Sequence, residues 1–288
     1  MKSLDESDFA IVGLGLMGGS LALALRAQNA CKSIVAIDRD ADVCARALAR
    51  GVVDQAGADL TLAASADVIV LATPVRTILA QLSRVGGIAP PGAVVIDLGS
   101  TKREIVRAMD ALPAHAQPIG GHPMCGKEVA GFDAADANLF RGVTFVLTPL
   151  ACTAPPTLAF VRSMVEAIGA RPLVIDAARH DRLVAATSHL PFALAAMLMA
   201  TASDWARDDE LFDALAASGF RDTSRLAASD TAMMLDILLT NRDHVAGAIR
   251  ACSRRLDQLA DAIAQGDENA LRGILEDSAR RRRALFKS

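Results

Sequence analysis

Residues 9–27, FAIVGLGLMGGSLALALRA, decide the predicted fold. The apolar run over 9–12 predicts a buried strand, and the apolar residues after Gly18 predict a helix that packs against it. Three glycines with GxGxxG spacing join the two elements: Gly13 permits the tight turn, Gly15 lets a pyrophosphate approach the backbone, and Gly18 allows close packing of helix on strand. Because the N–H groups at a helix start favour phosphates, the stretch predicts a dinucleotide-binding unit.

A carboxylate at the end of the next predicted strand supports this interpretation. Asp38 lies 20 residues after Gly18, a spacing that lets it accept hydrogen bonds from the ribose hydroxyls of an adenosine and repel a 2′-phosphate. A tight turn without a ligand would leave Asp38 unexplained. We therefore predict NAD as the cofactor, with Leu16 and Met17 of the loop among its contacts. NADP stays an alternative because Arg39 is adjacent.

Glycine and proline divide the chain into two parts, since 16 of 20 glycines and ten of 11 prolines precede residue 178. In this first part short apolar strands alternate with helices, which predicts an α/β fold with a Rossmann-type, doubly wound parallel sheet. The predicted strands are 9–12, 33–37, 68–72, 94–98, 118–119, 143–147 and 172–175. The predicted helices are 18–27, 41–50, 77–85, 103–111 and 156–168.

The remaining residues predict an all-α domain, so we divide the chain into a dinucleotide-binding domain, 1–178, and a helical substrate and dimerisation domain, 179–288. The predicted helices are 179–202, 209–217, 223–228, 231–264 (with a break allowed) and 268–284. The segments 183–203 and 231–264 offer more apolar face than one small domain can cover. We therefore expect a homodimer through the helical domain.

The composition excludes several classes of protein. Of 288 residues 52% are apolar and 22% charged, which excludes a disordered chain. The formal net charge of −3 argues against nucleic-acid binding, which needs a basic surface. The five cysteines form no CxxC pair and indicate reduced thiols, no metal site and a cytoplasmic protein.

One uncharged segment, 183–203, is long enough to span a membrane. It contains His189, Pro191 and several hydroxyl side chains, and polar groups within a membrane are costly. We therefore expect a helix buried in the protein core and no membrane partner.

Five short motifs lie beyond the glycine loop: ATP at 72–74, DLGSTK at 97–102, GGHPMCG at 120–126, SHLP at 188–191 and GFRDTSR at 219–225. Together they resemble the prephenate/arogenate (cyclohexadienyl) dehydrogenase family of tyrosine biosynthesis, over residues 9–245. The GGHPM and DxGSxK segments are the specific part of the resemblance. It implies oxidation of a cyclohexadienol that carries a ring carboxylate, with transfer of hydride to NAD and loss of CO₂. The product would be 4-hydroxyphenylpyruvate from prephenate, or tyrosine from arogenate.

The residues support this chemistry independently. Oxidation of an alcohol requires removal of the hydroxyl proton, and His122 is the natural base because its ordinary pKa is near neutral. Gly121 and its neighbour Gly120 would let the substrate approach closely. By resemblance, His122 hydrogen-bonds the substrate hydroxyl. The alternative is a buried imidazole bonded to a turn.

Two further motifs lie at predicted strand ends. Ser100 is a candidate catalytic and cofactor-binding residue, with a helix N-cap completed by Glu104 as the alternative. Thr73 and Pro74 resemble the turn on the nicotinamide side of the family's site, although proline also ends strands. Lys102 is a candidate ion-pair partner of Asp97.

A dicarboxylic substrate requires cations. Arg225 is the best candidate because a guanidinium grips a carboxylate with two parallel hydrogen bonds, and the family places an arginine at this motif. A surface ion pair with Asp222 is the alternative. Arg221, Asn241 and Arg242 are weaker candidates, which we expect at the surface or an interface and not in the site.

His189 is predicted to bind substrate because its SHLP context matches the family, although a histidine in an apolar helix is often only a core residue. Many members continue LPH, whereas this chain has Phe192, which leaves the choice among prephenate, arogenate and an amino-substituted analogue open. The other histidines, His115, His180 and His244, are expected at exposed positions without a role.

Two other functions fit part of the sequence. A β-hydroxyacid dehydrogenase has a similar glycine loop but needs a lysine in its helical domain, and after residue 178 the only lysine is Lys287. A non-catalytic nicotinamide sensor would keep the loop but would not need His122, Ser100 and Arg225.

Overall fold

The computed structural model describes residues 2–127 and 129–286, so Lys287 lies outside the described residues. Eight strands form one sheet in the order β3-β2-β1-β4-β5-β6-β7-β8. The strands are β1 Asp8–Val12, β2 Ser33–Ile37, β3 Gln55–Gly57, β4 Val68–Leu71, β5 Val94–Asp97, β6 Gln117–Pro123, β7 Thr144–Pro149 and β8 Arg171–Val174. The predicted doubly wound α/β fold is confirmed.

The sheet is covered on both faces. Alternate residues of β1 enter different core clusters: Phe9 and Ile11 pack in one, Ala10 and Val12 in the other. This is why β1 and β4 are continuous apolar runs and not alternating ones. The helices of this part are α1 Leu16–Ala27, α2 Ala41–Ala49, α3 Val75–Ile88, α4 Arg103–Met109 and α5 Pro155–Ala167.

The sheet differs from the prediction in two places. The short strand β3 was not predicted, because its sequence Gln-Ala-Gly has no apolar run. β7 pairs antiparallel with β6, whereas every other pairing is parallel. The prediction of a wholly parallel sheet is therefore wrong for this pair.

The second part of the described chain is helical, as predicted. Its helices are α6 Ala177–Val184, α7 Leu190–Trp205, α8 Phe212–Leu215, α9 Ser218–Ser224, α10 Thr231–Thr240, α11 Arg242–Gln265 and α12 Glu268–Leu285. A π-helical turn, Ala185–His189, joins α6 to α7, and a 3₁₀ turn, Arg225–Ala228, follows α9. The predicted long helix 231–264 breaks at Asn241.

Two aspartates of the helical part cap helices of the sheet-containing part. Asp181 on α6 accepts hydrogen bonds from Lys102 N (2.7 Å) and Arg103 N (2.9 Å) at the start of α4. Asp236 on α10 accepts one from Arg76 N (3.0 Å) in the first turn of α3 and also pairs with the Arg76 side chain.

Contacts between residues divide the chain into two compact units, residues 1–242 and residues 243–288. The proposed boundary at residue 178 stays a prediction.

The helical run Ala177–Trp205 is long and apolar enough to cross a membrane by length and composition. Only 22% of its most apolar 18-residue stretch is buried inside the chain. The expectation that the core of this chain buries the segment is therefore wrong. Exposed apolar side chains along it include Met197 and Trp205.

Candidate active site

The glycine loop lies at the point where the strand order reverses, between β1 and β4. Ligands of open α/β sheets bind beyond the carboxyl ends of strands at this point. Gly13 has φ +97°, and a Cβ on it would lie 2.8 Å from Thr73 Cγ2. A Cβ on Gly18 would overlap the Gly13 carbonyl oxygen. The structure therefore requires both glycines for the turn and the close helix–strand packing.

Gly15 differs from these two, because a Cβ on it would meet no atom within 4 Å. It is the N-cap of α1 and provides no side-chain cap, and Leu16 and Met17 of the first turn are half-buried. Open space in front of an uncapped helix start suits a pyrophosphate. The loop therefore fits NAD.

Asp38 lies beside this loop. Its Oδ2 accepts a hydrogen bond from Leu14 N (2.7 Å), and its Oδ1 accepts one from Asp40 N (3.0 Å). The carboxylate is half-buried, and its two oxygens keep lone pairs for ribose hydroxyls. Arg39 is exposed.

Thr73 and Pro74 follow β4 on the same edge of the sheet. Pro74 is the N-cap of α3, and Thr73 Oγ1 donates to Gln81 Oε1 (2.9 Å). The proline therefore ends the strand, and Thr73 lies against the glycine loop. Contact of either residue with a nicotinamide stays a prediction.

An ion pair between Asp97 and Lys102, both fully buried, lies beneath the site, as the sequence suggested. Asp97 also accepts from Gly99 N (2.8 Å) and Gly121 N (3.1 Å), and Lys102 Nζ donates to Gly121 O (2.7 Å). Burial raises the pKa of Asp97 and lowers that of Lys102. The pair fixes the end of β5 against β6.

The two glycines before His122 need a corrected explanation. A Cβ on Gly120 would overlap Thr148 Oγ1, and one on Gly121 would lie 2.6 Å from Asp97 O. Protein atoms occupy the space that we expected the substrate to approach. The glycines therefore permit close strand packing, and substrate contact by Gly121 stays a prediction.

Ser100 is half-buried just past the end of β5. It is not the N-cap of α4: the helix begins at Arg103, its N-cap is Lys102, and Asp181 supplies the capping carboxylate. The capping alternative for Ser100 is therefore wrong. Its catalytic role stays a prediction.

His122 lies near the carboxyl end of β6 and belongs to a chain of hydrogen bonds. Its Nδ1 is 2.8 Å from His180 Nε2, and His180 Nδ1 is 2.8 Å from Asp181 Oδ1. His122 is half-buried, whereas His180 and Asp181 are fully buried. The expectation that His180 is exposed is wrong, because its ring is buried edge-on against that of His122.

Electrostatics separate the members of this chain. Burial, followed by the nearby His180, Lys102 and His189, lowers the pKa of His122 well below its ordinary value. Burial opposes ionisation of Asp181, but the hydrogen bonds from His180 and the two capping amides lower its pKa overall. The arrangement therefore contains a neutral imidazole at one end and a carboxylate at the other.

His189 is buried next to this chain. Asn241 Nδ2 donates to Asp181 O (2.7 Å) and lies 3.3 Å from His189 Nδ1. Burial lowers the pKa of His189 to about 4. Asn241 is only 2% exposed, and its Oδ1 has no hydrogen-bond partner among the described residues. The prediction that Asn241 is a surface or interface residue is wrong.

Arg225 is exposed and begins the 3₁₀ turn that packs against α7. Asp222, its alternative partner, lies 3.7 Å from Arg221 in an exposed ion pair. Phe192 is half-buried in the first turn of α7, just after His189. Substrate binding by Arg225 stays a prediction.

Sequence reasoning did not predict that His180, Asp181 and Asn241 lie next to His122 and His189. His180 contacts His122, 58 positions earlier, and Asn241 contacts Asp181, 60 positions earlier. No local spacing in the sequence marks these contacts. The adjacent His-Asp pair at a helix start was the only available signal.

The doubly wound sheet, the glycine loop and Asp38 define a Rossmann-type dinucleotide-binding protein. Comparison with known proteins agrees. Residues 21–174 match the family model "Prephenate dehydrogenase, nucleotide-binding domain", and residues 176–277 match "Prephenate dehydrogenase, dimerization domain". The chain belongs to the prephenate dehydrogenase family.

Individual relatives are similar over most of their length. A prephenate dehydrogenase of Lactococcus lactis is 33% identical over 96% of this chain and 76% of its own. A cyclohexadienyl dehydrogenase of Zymomonas mobilis is 32% identical over 96% of this chain and 95% of its own. The crystal structure of A. aeolicus prephenate dehydrogenase with hydroxyphenyl propionate and NAD⁺ superposes with a TM-score of 0.92 at 30% identity, covering 99% of this chain and 100% of that one.

Proposed function

We propose that the protein oxidatively decarboxylates prephenate to 4-hydroxyphenylpyruvate, arogenate to tyrosine, or both, with NAD as cofactor. One observation carries the proposal: the imidazole of His122 lies at the same edge of the sheet as the glycine loop. β1, β4, β5 and β6 are parallel in this order, so their carboxyl ends share that edge. Family membership supports the substrate class.

Each site residue has a proposed task. His122 accepts the proton of the substrate hydroxyl, and Ser100 holds the reacting region in place. His189 and Arg225 bind the substrate, the latter through a carboxylate. NAD, when bound, accepts the hydride from the carbinol carbon. Asp38 favours NAD over NADP because its charge repels a 2′-phosphate.

We further propose a cytoplasmic homodimer formed through the helical part. The dimerization-domain model matches 176–277, a region that includes the exposed apolar side of α7. A second subunit would cover that surface, so a membrane need not be invoked.

The test is turnover by the purified protein. With NAD and either prephenate or arogenate, absorbance of reduced nicotinamide should appear together with release of CO₂. Comparison of kcat/KM for both substrates, each with NAD and NADP, assigns the substrate and the cofactor. Binding of NAD without turnover of either substrate would remove the proposed activity.

A further inference from the structure

The hydrogen-bond chain behind His122 fixes where its protons lie. Asp181 accepts two backbone N–H groups, at 2.7 and 2.9 Å, and acts only as an acceptor when ionised. His180 Nδ1, 2.8 Å from this carboxylate, therefore carries a proton. In a neutral imidazole the other nitrogen, Nε2, is then an acceptor.

The tautomer of His180 determines the tautomer of His122. Because His180 Nε2 accepts, His122 Nδ1 must donate the 2.8 Å hydrogen bond between them. The remaining nitrogen of His122, Nε2, is then unprotonated and able to accept a proton. This is the tautomer that a base needs, and two side chains from α6 select it.

We infer that His180 and Asp181 form a proton relay with His122, in which His180 holds the His122 tautomer and receives a proton from its Nδ1 during the reaction. The inference deepens the proposed function and rests on it. His180 does not contact the substrate in this scheme, so it is a positioning and relay residue, and His122 is the catalytic one.

The proposed steps conserve both atoms and charge. The substrate O–H bond breaks as a bond to His122 Nε2 forms, and the His122 Nδ1–H bond breaks as a bond to His180 Nε2 forms. The hydrogen of the carbinol C–H bond leaves with the bonding electron pair, as a hydride, to NAD. The bond to the ring carboxyl then breaks, CO₂ leaves, and its electron pair makes the ring aromatic. The phenolate oxygen takes back one proton as the relay reverses, so no net proton is released.

Charge around the relay favours this transfer. Burial most strongly disfavours a cation on His122, followed by the nearby His180, Lys102 (which is paired with Asp97) and His189. His180 instead has the Asp181 carboxylate 2.8 Å away, which compensates a positive charge on that imidazole. After the substrate has given its proton to His122, the positive charge therefore rests on His180 and not on His122.

The variant that separates relay from support is His180→Gln. A glutamine oxygen can accept the hydrogen bond from His122 Nδ1 but cannot take up its proton. In single-turnover hydride transfer we expect a rate about 10²-fold lower than wild type, with unchanged NAD affinity. The matched control is His115→Gln, an exposed histidine whose Nε2 contacts Ala89 O at 3.1 Å, and it should leave the rate unchanged.

Two further measurements give independent readouts. In mixtures of H₂O and D₂O, a plot of the single-turnover rate against the deuterium fraction should be curved for wild type, because two protons move in the same step. The same plot should be linear for His180→Gln, in which only one proton moves. Nitrogen NMR of ¹⁵N-histidine enzyme should show His122 protonated at Nδ1 and bare at Nε2.

Specific results would overturn the relay. A linear dependence in wild type, a His180→Gln rate within about twofold of wild type, or the opposite tautomer at His122 would each do so. Absence of turnover by wild type contradicts the proposed function instead, and the NMR experiment still tests the tautomer.

Discussion

The histidines of the site differ because their neighbours differ. Asn241 can only donate through its Nδ2, so His189 Nδ1 accepts and His189 carries its proton on Nε2. With a pKa of about 4, His189 stays neutral near pH 7. If both histidines contact the substrate as proposed, His189 offers a donor and His122 an acceptor. One donor and one acceptor can distinguish the groups of a hydroxylated substrate.

Substitution of the two proposed substrate-contacting residues should change different kinetic constants. His122→Asn should lower kcat with cofactor affinity intact. Arg225→Ala should chiefly raise KM; Arg225 is exposed in the single chain, and the cost is about 2–5 kcal/mol if bound substrate buries its carboxylate against the guanidinium. Steady-state kinetics with both substrates measures the effects. The reverse pattern would mean that we have exchanged the two roles.

At this scale the sequence predicted the residues with family motifs, and the structure places Gly13, Gly15, Gly18 and Asp38 together. It did not predict the partners of His122. Asp181 and His180 contribute through hydrogen bonds across 58 to 79 positions, and such contacts depend on packing, which composition does not reveal.

Among the secondary-structure elements, the caps supplied from a distance are the least predictable feature. No side chain of Pro74 or Lys102 caps α3 or α4. Asp236 and Asp181, from α10 and α6, provide these acceptors instead. These two helices, whose N-cap positions hold no Ser, Thr, Asp or Asn, are thus completed by a distant element.

Removal of one such cap should destabilise the protein. Asp236→Ala should lower the free energy of unfolding by about 1–3 kcal/mol, because Arg76 N loses its buried acceptor and its side chain loses the ion pair. Denaturant unfolding at fixed protein concentration measures the change. The control Asp204→Ala removes an exposed pair with Arg207 and should cost less than about 0.5 kcal/mol. Equal effects would show that the cap contributes nothing.

Element types were easier to predict than element ends. The apolar runs of β1 and β4 and the three- and four-residue periodicity after residue 231 were sufficient to predict strands and helices. The break at Asn241 was not located, because it follows from the side chain turning inward to Asp181 and not from a glycine or proline.

For the whole molecule, the prediction concerns assembly. Sedimentation should give about twice the chain mass of 30.1 kDa. Leu239→Glu, on an apolar position of α10 that is 50% exposed in the chain, should shift the protein toward monomer, since a buried charge disfavours association. Leu48→Glu, at a 41% exposed position of α2, should not. A monomeric wild type would contradict the proposed dimer.

The overall architecture was predictable because glycine spacing, strand–helix alternation and the change in composition near residue 178 all agree. The position of the boundary between compact units was not, because cohesion of residues 1–242 depends on contacts between α10 and α3 and between α6 and α4.

The distant caps restrict how such a chain can diversify. The segment after residue 178 carries Asp181 and Asp236, which cap α4 and α3. A recombination event near residue 178 therefore joins compatible halves only when the incoming helices place a carboxylate at the start of α3 and another at the start of α4. Because Asp181 also contacts His180, such a crossover would inherit the hydrogen bonds that reach His122 together with the stability of the sheet.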